Sequence, residues 1–267
     1  MEKRLPGIVP FIVAGLVVAA TTGTGLAVDD FVKTWGEPAD TLIKEGLELF
    51  YICHEDRANL ERSNGKFREV LELDPDNEDA FWLIARNYFK MGDNAGDKGE
   101  KLRLYTLTGE YADQCLAVNP ESIGGHFWKM ATIGRTSEVK GILNSAMNLV
   151  PFKREIAFLI ENADPAHEFH VLALSSRAGL LMKAPSFAGG DLEESERLLR
   201  RCVETNPRVT LFYVNLGQNL IKQKRYDEAR ELLLKVKNFE GEPFYIWDAV
   251  LYDIPRADRY LREIEGK

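Results

Sequence analysis

The stretch of residues 208–242 limits most strongly what this chain can fold into. Its small residues Gly217 and Ala229 stand among large apolar side chains that recur at helical spacing, Tyr213 among them. Two antiparallel helices approach closely only where a small side chain lets one backbone settle against the other. The stretch therefore predicts a helical hairpin, with Asp227 as the N-cap of its second helix.

A hairpin of this kind cannot bury its apolar face alone, so further units must lie elsewhere in the chain. A proline stop recurs along the sequence, because the residue before proline is pushed out of the helical region and ends a helix. The four stops are Asp74-Pro75, Asn119-Pro120, Asp164-Pro165 and Asn206-Pro207. Their prolines lie 45, 45 and 42 residues apart. The units are therefore longer than the ~34 residues of the tetratricopeptide repeat, which the hairpin pattern resembles.

These observations predict an all-α fold, a tetratricopeptide-like solenoid of helical hairpins with divergent repeats. No stretch shows the alternation that is typical of β-strands. The extra length of the units is assigned to three turns, at residues 92–101, 134–151 and 183–191. The last segment, residues 243–267, predicts one or two closing helices that break near Pro255 and cover the apolar face of the final hairpin.

Three of the predicted first helices carry a pair of adjacent aromatic residues. Neighbouring side chains on a helix point about 100° apart, so one ring of each pair should pack into its own hairpin. The other ring should face a neighbouring repeat or the concave groove, and both packing and ligand contact explain the pattern. The pairs are Phe81-Trp82, Phe127-Trp128 and Phe212-Tyr213.

The amino terminus carries the pattern of an export signal. Lys3 and Arg4 precede an uncharged stretch from Leu5 to Val28, and Ala27 ends a small, polar tail suited to a signal peptidase. We predict that residues 1–27 are a cleaved signal peptide, with an uncleaved membrane anchor as the alternative. Residues 28–267 then form the helical-repeat domain, outside the cytoplasm.

The formal net charge of -8 and the pI of about 5.2 argue against a nucleic-acid surface, which needs clustered Lys and Arg. The three cysteines, Cys53, Cys115 and Cys202, are an odd number, so at least one cannot pair within the chain. Cys115 and Cys202 stand five residues before a proline stop, and so does Val70. We interpret that position as a small apolar packing site on a second helix, with a disulfide as the alternative.

The motifs of catalysis are missing from the sequence. His167 and His170 lack the four-residue spacing of zinc proteases, and neither a nucleophile motif nor a P-loop is present. We predict no catalytic, metal or cofactor site, and hence no enzyme; an enzyme that uses His126 or the His167 and His170 pair is a minor alternative. His126 can either point into the groove beside Trp128 or hydrogen-bond the preceding Asn-Pro turn.

Taken together, these residues resemble one family, the T component of tripartite ATP-independent periplasmic (TRAP) transporters. Its helical repeats are similar to those of the regulators of microtubule dynamics. The resemblance covers roughly residues 40–240. Its specific pieces are His126 with Trp128, Gly134 with Gly141, and Pro185 with Gly189, Gly190 and Asp191.

The resemblance implies a non-enzymatic periplasmic protein that partners the transporter's solute-binding protein and passes a small organic ligand through a groove or pore. It also implies that homo-oligomers can form. A closed apolar pocket would then be lined by five candidate ligand-binding residues, Trp82, His126, Trp128, Phe187 and Tyr213. The alternative is a general cell-envelope scaffold, whose groove would be open and polar and would bind a peptide or helix of another protein.

Overall fold

The computed structural model describes residues 32–141 and 146–267, and throughout these residues the regular secondary structure is helical. Five helical hairpins follow one another, and each proline stop separates two of them. Their first helices are α1 (Ala39–Tyr51), α3 (Glu78–Asn94), α5 (Ile123–Lys140), α7 (Glu168–Lys183) and α9 (Thr210–Lys222). Their second helices are α2 (Asn59–Leu73), α4 (Lys98–Val118), α6 (Leu149–Asn162), α8 (Leu192–Thr205) and α10 (Tyr226–Lys237). The predicted all-α repeat architecture is confirmed.

The four proline stops act as predicted. Helices α2, α4, α6 and α8 each end one or two residues before the Asp or Asn that precedes a proline. At the first stop the backbone of Asp74 leaves the helical region, and its N–H donates to the carbonyl of Val70. The next helix then begins under a cap, because Asn77 accepts a hydrogen bond from the N–H of Ala80 at 3.0 Å.

Close approach at small residues sets the distance between helices. A Cβ on Gly217 of α9 would lie 2.9 Å from the side chain of Leu233 in α10, and Ala229 is fully buried between the same helices. Gly124 of α5 packs on Trp82 in the same way, since a Cβ there would lie 2.5 Å from the indole. Any larger residue at these positions would push the helices apart.

Two details of the prediction are wrong. Asp227 is not an N-cap, because α10 begins at Tyr226 and the Asp227 carboxylate pairs with Arg230 at 2.7 Å. The extra length of the second unit also lies elsewhere. Its turn is short, running from Ala95 to Asp97, and the added residues extend α3 to 17 residues and α4 to 21.

The chain ends in a short helix α11 (Pro243–Asp248), a π-helical turn (Ala249–Asp253) and helix α12 (Ile254–Glu263). The chain does not break near Pro255 as predicted, but the hydrogen bonding there changes from π-helical to α-helical, where Pro255 has no N–H to donate. Helix α12 covers the last hairpin as predicted, where Ala257 and Tyr260 form a small core with Val214 of α9.

Helix α11 and the π-helical turn, residues 243–253, form what we call the closing segment. This segment does not stay on the last hairpin. Phe244 packs on Phe50 of α1, Tyr252 donates to Asn94 of α3, and Asp253 accepts from Thr210 of α9. All three partners lie on first helices. Phe50 belongs to the first hairpin, Asn94 to the second and Thr210 to the last. We call the side of the first-helix layer that the closing segment covers the inner face.

Cys53, Cys115 and Cys202 are free and fully buried, which confirms their interpretation as packing residues. Among the described residues no helix combines the length and the apolar character needed to cross a membrane. The predicted export segment, residues 1–27, lies outside the described residues.

Candidate functional site on the inner face

Two of the five predicted ligand-binding residues lie in a buried aromatic cluster. Trp82 is 4% exposed and Trp128 is 1% exposed. Both rings meet Phe169 of α7 edge-on at 6.0 Å, and Phe127 stacks on the same ring at 4.0 Å. The indole N–H of Trp82 also donates to Asp79 at 2.6 Å. These contacts hold three successive first helices together and support the packing explanation of the aromatic pairs.

His126 adopts the hydrogen-bonding alternative to a groove position. Its Nε2 lies 3.0 Å from the carbonyl of Pro120, in the predicted Asn-Pro turn. Its Nδ1 lies 2.5 Å from the carboxylate of Glu155 in α6, and the ring stacks on Phe158 at 3.6 Å. Because Glu155 is buried, the imidazole closes the junction between α5 and α6. The structure therefore assigns His126 a tertiary contact away from Trp128.

The other two candidates lie apart from this cluster. Phe187 is 92% exposed in the short 3₁₀ turn between α7 and α8. Tyr213 is half-buried on α9 beside the small core formed with α12. The five predicted residues are thus spread over a core cluster, a helix junction, a loop and the closing end of the chain. Their role in binding a ligand remains a prediction.

The two histidines of the HEFH sequence have structural contacts. His167 caps α7, because its Nδ1 accepts the N–H of Phe169 at 3.0 Å. Burial lowers the pKa of His167 to about 4. His170 is also buried, and burial lowers its pKa as well. Among residues 32–141 and 146–267, no group of three or more potential ligands is placed to hold a metal ion.

A different group of residues has the features expected of a site, and it lies under the closing segment. Lys90 of α3 forms an ion pair with Asp248 of the closing segment, and the two side chains are 4% and 2% exposed. The Lys90 ammonium lies 4.8 Å from the ring centre of Trp247, 5.3 Å from that of Phe244 and 5.4 Å from that of Tyr252. Three rings and one carboxylate therefore enclose a cation in a dry environment.

Burial lowers the pKa of the Lys90 amine, because low-dielectric surroundings penalise the charged form. The ion pair with Asp248 and the nearby carboxylates of Asp93 and Asp253 act against this penalty. A buried pair of this kind adds little net stability, but removing one partner leaves an uncompensated charge at a cost of about 3–5 kcal/mol. The pair therefore makes the position of the closing segment specific.

Further buried charges lie beside this pair. Arg135 of α5 contacts both carboxylate oxygens of Asp93 in α3 at 3.0 Å, and Tyr105 donates to the same carboxylate at 2.7 Å. Asp253 accepts a hydrogen bond from Thr210 at 2.7 Å. Burial raises the pKa of Asp253, while the Arg256 guanidinium and then the Thr210 hydrogen bond act to lower it. Charged side chains from α3 and α5 thus lie on the inner face under the closing segment, which itself carries Asp248 and Asp253.

Lys90, Asp248 and Phe169 were not predicted from the sequence as site or cluster residues. Lys90 and Asp248 are 158 positions apart, and no local pattern links them. One signal was present in α3, where residues 80–90 are apolar around most of the helix, so that a lysine within this stretch has to be buried with a partner. Phe169 lies between two histidines in the sequence and is fully buried in the structure.

Comparison with known proteins agrees with this architecture. Residues 211–240, the hairpin of α9 and α10, match the family model of the tetratricopeptide repeat. The fold resembles the crystal structure of a thermophilic TPR protein in Thermus thermophilus, with a TM-score of 0.57 and 14% identity. That match covers 84% of this chain and 97% of the other. The chain is a tetratricopeptide-like helical-repeat protein.

Residues 50–172 of this tetratricopeptide-like protein match a second family model, regulator of microtubule dynamics protein 1-3. This region runs from the end of α1 to the start of α7 and includes most of the aromatic cluster. The match supports the predicted similarity to the repeats of those regulators.

Two curated relatives match at low identity. Cellulose synthase operon protein C of Pseudomonas fluorescens (strain SBW25) is 25% identical over 234 residues, which is 78% of this chain. Protein O-mannosyl-transferase TMTC3 of Mus musculus is 23% identical over 171 residues, which is 61% of this chain. The chain spans 18% and 17% of the length of these relatives.

Proposed function

We propose that this tetratricopeptide-like protein is a non-enzymatic adaptor that binds another protein through its helical repeats. The observation that carries this proposal is the inner face, where side chains from α1, α3 and α9 already hold a short helical segment by ring contacts, an ion pair and hydrogen bonds. Stacked hairpins commonly use such a surface to bind a peptide or helix.

The contacts of the candidate nucleophiles and bases support the non-enzymatic part of the proposal. Burial raises the pKa of Cys115 and of Cys202 to about 12, so neither is a thiolate at neutral pH. His126 is held by Glu155 and Pro120, and His167 caps a helix. These side chains have structural partners in place of a substrate cleft.

The resemblance to the TRAP transporter T component gives the partner to test first, a periplasmic solute-binding protein. The finer proposal is an exported accessory subunit of such a transport system, which binds the solute-binding protein and also accepts a small organic ligand. The predicted signal peptide and the similarity to regulator of microtubule dynamics repeats over residues 50–172 support it. The general cell-envelope scaffold is the second candidate, favoured by the burial of Trp82 and Trp128 among other rings.

Direct binding distinguishes the two candidates. The purified protein is titrated by calorimetry with the solute-binding protein encoded nearest to its gene, with an unrelated solute-binding protein as the control. A saturable complex with the neighbouring protein alone supports the transport subunit. No complex, or a genome without such a transporter, contradicts the transport role and leaves the general scaffold.

A further inference from the structure

The closing segment shows which chemistry the inner face accepts. Its eleven residues, 243–253, carry Phe, Trp and Tyr rings and two aspartates, and they contain no basic side chain. The rings and Asp248 enclose Lys90, while Asp253 binds Thr210. The inner face is thus complementary to an aromatic and acidic stretch of chain.

The inner face has its own fixed layout for such a stretch. Lys90 and Asn94 are one helical turn apart on α3, so that they present a cation and an amide along one line. Phe50 of α1 supplies an apolar contact at one end, 5.4 Å from the ring of Phe244, and Thr210 of α9 supplies a hydroxyl at the other. These groups belong to separate repeats, and the solenoid holds them in place.

The closing segment and the helix that follows it pack against different parts of the molecule. Helix α12 has its own core, in which Ala257 and Tyr260 contact Leu233 of α10. On the other side, residues 238–242 form an exposed connection without helix. Release of the segment from the inner face, with α12 still on the last hairpin, needs the helix to open at the π-helical turn and the ion pair between Asp253 and Arg256 to break. Such π-helical turns are often found at functional sites.

The outer side of the closing segment is apolar. Ile246 is 38% exposed and Val250 is 52% exposed, although both lie in a segment whose opposite side is buried. Asp248 and Asp253 face inward and are buried, whereas Ile246 and Val250 face solvent. A surface helix usually places its charged residues outward. This distribution fits a segment whose inward side chains are matched to the binding groups of the inner face.

We propose that the inner face is a binding groove for a peptide segment that carries aromatic rings and a carboxylate, and that the closing segment occupies it in competition with that partner. The partner's carboxylate pairs with Lys90, and its rings replace those of Phe244, Trp247 and Tyr252. This inference rests on the proposed adaptor function and states which surface and which partner chemistry serve it. Partner binding then requires release of the closing segment.

A synthetic peptide with the sequence of residues 242–253, capped at both ends and labelled with fluorescein, tests the proposal without an identified partner. It is titrated into the wild-type protein and into a double variant, Trp247→Ala with Asp248→Asn, whose own segment competes poorly. We expect the peptide to bind the double variant at least about tenfold more tightly. Adding Lys90→Gln to the double variant should reverse this gain, whereas Lys235→Gln, on the exposed side of α10, should not.

A measurement on the unaltered protein covers the case in which the double variant does not fold. Hydrogen exchange is followed in wild-type protein with excess unlabelled peptide, and with a peptide in which the aspartate equivalent to Asp248 is asparagine. With the wild-type peptide, we expect the amides of the closing segment to lose protection while those of α12 change little. The peptide that carries asparagine should cause a smaller loss of protection. Unchanged protection at saturating peptide, or binding that is insensitive to Lys90→Gln, overturns the proposal.

The two proposals fail separately. If the peptide binds and no protein partner is found, the groove stands and the adaptor function is contradicted. If a solute-binding protein or another partner binds while the peptide neither binds nor competes, the adaptor function stands and the inner face is not its binding groove.

Discussion

Histidine side chains in this protein act as structural hydrogen-bonding groups, and His167 shows the physical consequence. Its Nδ1 accepts the N–H of Phe169 at the start of α7, so that nitrogen must be unprotonated. Burial lowers its pKa from 6.5 to about 4 in the folded protein. Between these values the unfolded chain binds more protons than the folded one, and stability falls as the pH decreases.

The replacement His167→Asn tests this at the residue scale. Asparagine is a good N-cap but does not titrate, so it should keep the cap and remove this part of the pH dependence. We expect the loss of unfolding free energy between pH 7 and pH 5 to be smaller in the variant by on the order of 1–2 kcal/mol. Urea denaturation at both pH values measures it.

Other groups titrate over the same range, so the comparison between wild type and variant carries the test. The replacement His54→Asn serves as the control, because His54 is partly exposed and contacts the carbonyl of Tyr51 outside any helix start. An identical pH dependence in wild type and His167→Asn contradicts the assignment of His167 as a neutral cap.

At the scale of single elements, two aspartates with similar sequence surroundings have different roles. Asp191 precedes α8 and accepts the N–H of Glu194 at 2.9 Å, so it satisfies one of the donors left free at the helix start. Asp227 was predicted to do the same for α10, but it lies one residue inside the helix, exposed and paired with Arg230. Helix α10 begins two residues earlier than the pattern suggested, with Arg225 at the N-cap position.

This difference predicts unequal effects of alanine. Asp191→Ala should lower the free energy of unfolding by about 1 kcal/mol, since the cap is lost. Asp227→Ala should change it by less than about 0.5 kcal/mol, because an exposed i,i+3 ion pair contributes little. Thermal and urea denaturation of both variants provide the comparison, and equal losses would contradict the different roles assigned to Asp191 and Asp227.

At the scale of the whole molecule, the closing segment changes how the solenoid holds together. In a simple repeat protein each unit contacts its neighbours alone, and stability is close to a sum of local terms. Here the closing segment joins α1 and α3 to α9, with Phe244 on Phe50 and Asp253 on Thr210. Units far apart in sequence should therefore unfold together.

The replacement Phe244→Ala tests this coupling, with a cost of about 3–5 kcal/mol expected for a buried phenylalanine. Hydrogen exchange should show lower protection in α1 and α3 as well as in the closing segment, because the link between the ends is weakened. Leu261→Ala in α12 is the matched control, and its effect should stay within α9, α10 and α12. Loss of protection that is confined to residues 243–267 in Phe244→Ala contradicts long-range coupling.

The hairpins, their order and the proline stops between them could be predicted from the sequence because their signals are local. Proline stops end helices, Gly217 and Ala229 allow close approach, and Asn77 caps a helix start, each through residues a few positions away. The buried place of Cys115 and Cys202 followed from their spacing before a proline stop.

The candidate site, in contrast, depends on contacts between residues that are far apart in the sequence. Lys90 meets Asp248 across 158 positions, and Phe169 brings Trp82 and Trp128 together from separate repeats. Such contacts depend on how the hairpins curve and on the path of the chain after α10, and neither leaves a periodic mark in the sequence. The sequence by itself determined a solenoid of paired helices, because helix length, stops and close approach are set by neighbouring residues. Only the tertiary structure decided that the last segment returns over the inner face. The partner of the buried Lys90 ammonium depends on which carboxylate the folded chain places beside it, and here that is Asp248.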